Sequence, residues 1–274
     1  MFFDGLFTTP RLQHPEGIAV APDGAVWVGS ENGQILRIAP DGSGIEEIAS
    51  SGGFTLGIAF DGRGGLFACD LKSASVLRLD LASRRLERFT PPGIKVPNWP
   101  VVDARRSRLL VSDSHDFARP GPGIWSYDLA TGTGGCGMRA TSSSPTAWRW
   151  ATAATRCSSA RPSPGAWRGS RSGRRQRRRG GAVRADLPGL PDGLAFDAAG
   201  NLFVACYEPS RILRLSPDGR HCDVYIEDAT AHLFAHPTNI AFDGSALYAA
   251  NLGRWHVTRV ETDTTAPALS RTLA

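Results

Sequence analysis

The chain has 274 residues, 41% of them hydrophobic and 21% charged, with 31 Gly and 19 Pro, enough length and apolar content to bury a sizeable core. No run approaches the roughly 18 apolar residues that a membrane helix needs, and the start Met1-Phe2-Phe3-Asp4 lacks the basic region of a signal peptide, so a soluble, cytoplasmic protein without a membrane partner is expected. The five cysteines (Cys69, Cys136, Cys157, Cys206, Cys222) are odd in number, scattered and never paired as C-x-x-C, so neither a disulfide framework nor a structural zinc site is suggested.

The net charge of +5 is unevenly placed. From Leu129 to Ala185, 57 residues hold 12 Arg and no Asp, Glu or Lys, and the rest of the chain carries 19 basic against 26 acidic residues. The basic character belongs to one segment laid over an acidic protein, which argues against a nucleic-acid partner.

A repeat runs along the chain. His14-Pro15-Glu16-Gly17-Ile18-Ala19-Val20 leads to Asp23-Gly24-Ala25-Val26-Trp27-Val28 and on to Gln34-Ile35-Leu36-Arg37-Ile38. Thr55-Leu56-Gly57-Ile58-Ala59-Phe60-Asp61 opens the second unit, Pro97-Asn98-Trp99-Pro100-Val101-Val102-Asp103 the third, Pro191-Asp192-Gly193-Leu194-Ala195-Phe196-Asp197 another, and Pro237-Thr238-Asn239-Ile240-Ala241-Phe242-Asp243 the last. Each unit is three or four short apolar runs split by Asp-Gly or Gly-rich turns, the chemistry of strand, turn and strand. Corresponding positions fall at Glu16, Leu56, Asn98, Asp192 and Thr238, in steps of 40, 42, 94 and 46 residues. Such a period marks a β-propeller, and the step of 94, twice 47, leaves room for one more blade near residue 145. The expected fold is all-β, a single six-bladed β-propeller over residues 1–274, with the segment before Gln13 completing a blade built mainly from the C-terminus.

The fourth blade, about 133–182, does not fit the pattern. Around Ser144-Pro145-Thr146-Ala147-Trp148-Arg149-Trp150 there is no alternation and few aliphatic residues, and the acid-free stretch holds three of the seven Trp. Read one base out of frame from Pro145 and Thr146, the codons permit an Asn-Gly-Met or Asp-Gly-Met start followed by apolar residues at strand positions. Two compensating frameshifts, entering near 133–144 and leaving by about Ala182, would scramble a blade in this way. The competing reading is a disordered basic insertion around Arg174-Arg175-Gln176-Arg177-Arg178-Arg179.

In a propeller the start of each blade's first strand lines the central channel, so Glu16, Leu56, Asn98, Asp192 and Thr238 form a ring. Two carboxylates and an amide converging there favour a hard divalent cation, Ca²⁺ first, with Mg²⁺, Mn²⁺ or Zn²⁺ open. The competing reading makes Pro-Glu-Gly and Pro-Asp-Gly mere turn formers. Asp23, Asp61, Asp103, Asp197 and Asp243 fall between strands and are expected to be structural. His14 and His236 precede the Pro of a repeat and are expected to shape turns. Arg37, Arg78, Arg214 and Arg259 read as blade-surface residues, Cys69 and Cys206 as small apolar packing groups, and His115 and Asp116 as surface loop residues with access to the site.

Pro15-Glu16-Gly17, Pro97-Asn98 and above all the run from Pro191-Asp192-Gly193 through Leu202-Phe203-Val204-Ala205-Cys206-Tyr207 to Arg211-Ile212-Leu213-Arg214-Leu215 resemble the senescence-marker-protein, gluconolactonase and luciferin-regenerating-enzyme family. The resemblance covers about 220 residues. It implies a six-bladed propeller holding one divalent cation, with Glu16 and Asp192 as metal ligands and a third ligand, an Asn, near Pro145 and missing from the written chain. It also implies Asn98 as a substrate-contacting residue; the Arg expected two residues earlier is Val96, with Lys95 nearby.

The function so implied is a metal-dependent hydrolase of lactones or related esters, with Asp192 taking the proton and a small-molecule partner. The alternatives are a non-catalytic propeller that binds a ligand or protein, and an inactive chain lacking one metal ligand.

Overall fold

Asp-Gly dipeptides close the hairpins from which the repeat is built. In the first, Gly24 takes φ +82° and donates its N–H to the Ala21 carbonyl at 2.9 Å, while Asp23 Oδ1 accepts from Ala25 N at 3.0 Å. A positive φ of this kind costs glycine nothing. The strands that follow are apolar almost throughout, and the period of two sends their successive side chains to opposite faces. In the run Leu202–Cys206, Leu202, Val204 and Cys206 join one apolar cluster while Phe203 and Ala205 join another. A sheet apolar on both faces must be covered on both sides, which is the requirement a propeller satisfies.

The computed structural model describes residues 1–115, 123–138 and 187–267. Among them are twenty strands in five four-stranded sheets. The first sheet comprises β2 (Pro15–Val20), β3 (Val26–Ser30), β4 (Gln34–Ile38) and β5 (Ile45–Ser50). The second runs β6 (Thr55–Phe60), β7 (Gly65–Asp70), β8 (Ser75–Asp80) and β9 (Leu86–Arg88). The third is β10 (Pro97–Asp103), β11 (Arg108–Asp113), β12 (Gly123–Asp128) and β13 (Gly134–Met138). The next is β14 (Pro191–Phe196), β15 (Leu202–Cys206), β16 (Arg211–Leu215) and β17 (Cys222–Glu227).

The last sheet orders β18 (Pro237–Asp243), β19 (Ala246–Asn251), β20 (His256–Glu261) and then β1 (Phe3–Asp4) from the other end of the chain. Phe3 pairs with Val257 and Asp4 with His256. The N-terminal segment therefore completes a blade otherwise built from the C-terminus, as the repeat arithmetic predicts. This covers an edge strand and ties the two ends together.

The fold is an all-β propeller; the described residues hold five blades where six are expected. The position proposed for the scrambled blade falls almost wholly on 139–186, outside the described residues. Its first residues are described, and Gly134–Met138 forms β13, the outer strand of the β10 sheet, with Trp125 opposite Cys136.

Neighbouring blades share cores. Leu36, Ile38, Val26 and Val28 pack with Tyr248, Ala250 and Val257 between the β2 and β18 sheets. Ile35 and Trp27 meet Ile58, Leu66 and Leu79 between β2 and β6. Phe67, Cys69 and Val76 meet Leu109, Val111 and Tyr127 between β6 and β10, and Phe203 and Ile212 meet Phe242 and Leu247 between β14 and β18. Each fully buried aliphatic side chain contributes about 1.5–3 kcal/mol, so these interfaces hold the ring together. The inner strands follow one another as β14, β18, β2, β6, β10. At the two ends of that run, Leu194 of β14 packs against Leu110 and Ile124 of the β10 sheet, as do Trp99 and Val101.

Candidate functional site

Glu16, Leu56, Asn98, Asp192 and Thr238 are each the second residue of an inner strand: β2, β6, β10, β14 and β18. All five strands lose register at this place. Pairing with the neighbouring strand breaks between Pro15 and Ile18, Thr55 and Ile58, Pro97 and Pro100, Pro191 and Leu194, and Pro237 and Ile240. A bulge releases residues from the ladder and re-aims their side chains. The shared repeat phase seen in the sequence is thus a shared backbone irregularity, repeated around one end of the channel.

The residue after each ring position explains how closely the strands approach. A Cβ on Gly17 would lie 2.2 Å from the Leu56 carbonyl oxygen, one on Gly57 2.5 Å from the Asn98 oxygen, and one on Gly193 2.5 Å from the Thr238 oxygen. Only glycine admits backbone contact this tight. The Gly of Pro-Glu-Gly and Pro-Asp-Gly is therefore an inter-blade packing requirement, which accounts for the glycine without using the acid that precedes it.

The acids are explained by their surroundings. Glu16 and Asp192 are half-buried, and among the described residues no Arg or Lys pairs with either. Burial pushes the Glu16 carboxyl well above the ordinary range, the nearby Asp192 charge raises it further, and the neighbouring Thr238 hydroxyl offsets part of the rise. Burial likewise pushes Asp192 up, to about 7. Two neighbouring acids raised by desolvation, Glu16 further by the Asp192 charge, mark groups arranged for chemistry or for a cation. Glu16 and Asp192 are brought together across β18, which lies between their strands. Asn98 stands on the opposite side of β2, two inner strands along.

The donor set fits a hard divalent cation: two carboxylate oxygens, close enough to repel, with no basic residue to neutralise them. Among the described residues no three of His, Cys, Asp and Glu gather as a metal-binding group, and the third ligand expected near Pro145 falls outside the described residues.

The remaining candidates sort by their partners. Asp23, Asp61 and Asp197 organise turns: Asp61 Oδ1 accepts from Arg63 N and Gly65 N at 2.6 and 2.8 Å, and Asp197 Oδ1 accepts from Asn201 N at 2.7 Å. Asp103 pairs with Arg106 and Arg108. Arg37 and Arg78 reach back to Asp23 and Asp61 within their own blades, Arg214 pairs with Asp263, and Arg259 with Glu261. Cys69 and Cys206 are buried free thiols inside apolar clusters.

His14 and His236 hold positive φ of 42° and 52°. Each uses Nδ1 to reach the preceding blade, His14 to Leu252 O at 2.7 Å and His236 to Tyr207 O at 2.9 Å. A carbonyl only accepts, so Nδ1 carries the proton in both. They shape the turns as expected and also staple blades together. His115 ends the described part of its loop at φ 51°, with its buried Nδ1 unpartnered among the described residues, while Asp116 lies outside them. Sequence reasoning passed over Asn239, which hydrogen-bonds Glu16; its signal is that it stands where three other repeats have glycine.

Two family models match the chain. Residues 167–251 match the SMP-30/Gluconolactonase/LRE-like region, and residues 6–38 match the N-terminal part of the strictosidine synthase-like family. No curated protein matches. A solved X-ray structure named provisionally as a gluconolactonase superposes with TM-score 0.62 at 16% identity, covering 93% of this chain and 91% of that one. A chain of a nidogen/laminin complex superposes with TM-score 0.48 at 17% identity, covering 94% of this chain and 82% of its own; at that score it carries no argument. The fold agrees with the first of these structures over nearly its whole length, and the segment carrying Asp192 is similar to the SMP-30/gluconolactonase/LRE-like region: the chain is a β-propeller with a family-like stretch over residues 167–251.

Proposed function

We propose that this protein hydrolyses lactones or related small esters at the end of the channel marked by the five bulges. The observation that carries the reading is the pair Glu16 and Asp192, two acids of raised pKa placed within electrostatic reach of each other. The SMP-30/gluconolactonase/LRE-like match over 167–251 and the gluconolactonase-named structure support a small cyclic ester as substrate.

Glu16 and Asp192 would hold one divalent cation, Ca²⁺ by the hardness of the donors, with Mn²⁺, Mg²⁺ or Zn²⁺ as variants. When bound, the cation supplies neutralisation of the paired acids and Lewis-acid polarisation of an ester carbonyl. Asp192 accepts a proton from the attacking water and returns it to the ring oxygen as the C–O bond opens. The Asn98 amide offers a donor and an acceptor to orient substrate polar groups.

The β14 and β10 sheets each present an apolar face at the ends of the run of inner strands. The β14 sheet turns Phe196, Leu202, Val204, Leu213 and Leu215 to its face away from β18, and the β10 sheet turns Val101, Leu110 and Ile124 to its face away from β6. These two apolar faces, at the ends of the run of inner strands, meet where Leu194 packs against Leu110 and Ile124.

The test is a panel of aldonolactones and simple lactones, assayed with each cation and with chelator. Turnover that disappears with chelator and in Glu16→Gln supports the reading. A protein that binds no cation and turns over no member of the panel, also after correction of the reading frame, is a ligand-binding propeller instead.

A further inference from the structure

Asn239 interrupts a pattern kept by three other inner strands. The position after the ring residue is Gly17 in β2, Gly57 in β6 and Gly193 in β14, each with a bare Cα pressed against the next strand. In β18 it is Asn239, only 1% exposed. Its Nδ2 donates to the Glu16 backbone carbonyl at 2.7 Å, and Thr238 Oγ1 donates to the same oxygen at 3.1 Å. On the other side, Asn239 Oδ1 stands 2.3 Å from where a Gly193 Cβ would be and has no hydrogen-bond partner among the described residues. The amide cannot turn round without setting its oxygen against the Glu16 carbonyl oxygen.

A buried amide oxygen without a partner is unfavourable, and native structures hold few of them. Here it is the consequence of an amide that spans two strands. One edge is hydrogen-bonded to the residue that carries the first acid, and the other rests on the residue that follows the second.

We infer that Asn239 is a positioning residue: its side chain is the spacer that sets the separation of the Glu16 and Asp192 carboxylates, and through it the affinity of the pair for a divalent cation. The cation part rests on the reading given above; the spacer itself does not. A glycine at 239 would restore the backbone-on-backbone contact seen at the neighbouring steps. The β2 strand would lose one of its two side-chain donors at Glu16 and settle closer to β18, displacing its carboxylate relative to Asp192. The substrate-facing groups would be unchanged, so the effect is on geometry alone.

The experiment compares the full chain with Asn239→Gly and Asn239→Ser by calorimetric titration with Mn²⁺, with thermal melting as the check on folding. Asn239→Gly is expected to bind Mn²⁺ at least ~10-fold more weakly while still melting cooperatively, and Asn239→Ser, which keeps a short donor, to fall between. A folded Asn239→Gly protein with unchanged Mn²⁺ affinity overturns the inference, and if that variant does not fold, unchanged affinity in Asn239→Ser does so. If the unsubstituted chain binds no Mn²⁺, it is the cation reading that fails. The spacer is then read from crystal structures of the unsubstituted chain and Asn239→Ser: a changed Glu16 to Asp192 carboxylate separation upholds it, and an unchanged one overturns it.

Discussion

Asp192 raises the pKa of Glu16 from the far side of an intervening strand. The two acids stand 176 positions apart in the chain, on β14 and β2, with β18 between them. Neither has a basic partner among the described residues, so their repulsion persists until a proton or a cation relieves it.

Removing Asp192 therefore acts twice. Asp192→Asn keeps the shape, deletes the proton acceptor and halves the charge available to a cation. Turnover on the best lactone of the panel is expected to fall by about 10²–10⁴-fold, the range for a lost general base. A variant within a few-fold of the unsubstituted protein removes Asp192 from the chemistry.

The same acid sets a pH dependence in the cation-free protein. Its folded pKa is raised to about 7, so the folded state holds this proton more tightly than the unfolded state does. The stabilisation is full below the ordinary Asp value of about 3.9 and is lost as pH rises through about 7. Asp192→Asn should gain stability relative to the unsubstituted chain between pH 4 and pH 8, and saturating Mn²⁺ should restore the unsubstituted chain at the high end. Urea unfolding at several pH values measures this, and a difference that does not vary with pH contradicts it.

Gly17 is predicted to be intolerant for reasons unrelated to catalysis. A methyl group there meets the Leu56 carbonyl oxygen at 2.2 Å, and the neighbour is backbone, which cannot swing away. Gly17→Ala is expected to destabilise by about 1–3 kcal/mol, as overpacking does, read as a lower denaturation midpoint. Gly44, with nothing within 4 Å of its Cβ position, is the control, and Gly44→Ala should leave the midpoint nearly unchanged.

Two copies of the same Asp–Arg pairing should differ in worth. Asp61 is 7% exposed and accepts from two backbone N–H groups and from Arg78, whereas Asp23 is exposed and pairs with Arg37 at the surface. Asp61→Ala leaves buried donors unsatisfied and is expected to cost about 2–3 kcal/mol, against about 0–1 kcal/mol for Asp23→Ala. Equal costs would show that burial does not govern the pair.

The basic segment is testable at the level of the gene. Sequencing across residues 130–185 is expected to reveal two compensating frame changes and to restore an Asn-Gly-Met start at the ring position near Pro145. A confirmed sequence under selection in the written frame makes the segment a natural insertion.

The blades and their ring were legible in the sequence because both are local. Strand and turn chemistry repeats in phase within each 40- to 46-residue unit, so Glu16, Asn98 and Asp192 fall on equivalent places before any contact is known. The turn acids Asp23, Asp61 and Asp197 and the return of the N-terminus to the last blade were readable for the same reason, since hairpin chemistry and a repeat left incomplete at one end are properties of short stretches.

The sequence by itself thus determined the kind of fold, the phase of the repeat and the two acids. The tertiary structure decided what stands between those acids. Asn239 meets the Glu16 carbonyl across 223 positions and His14 meets the Leu252 carbonyl across 238, and no local pattern specifies such pairs. They arise when the ring brings β18 against β2, and whether a position there needs glycine, a spacer or a donor depends on the strand that closure places beside it.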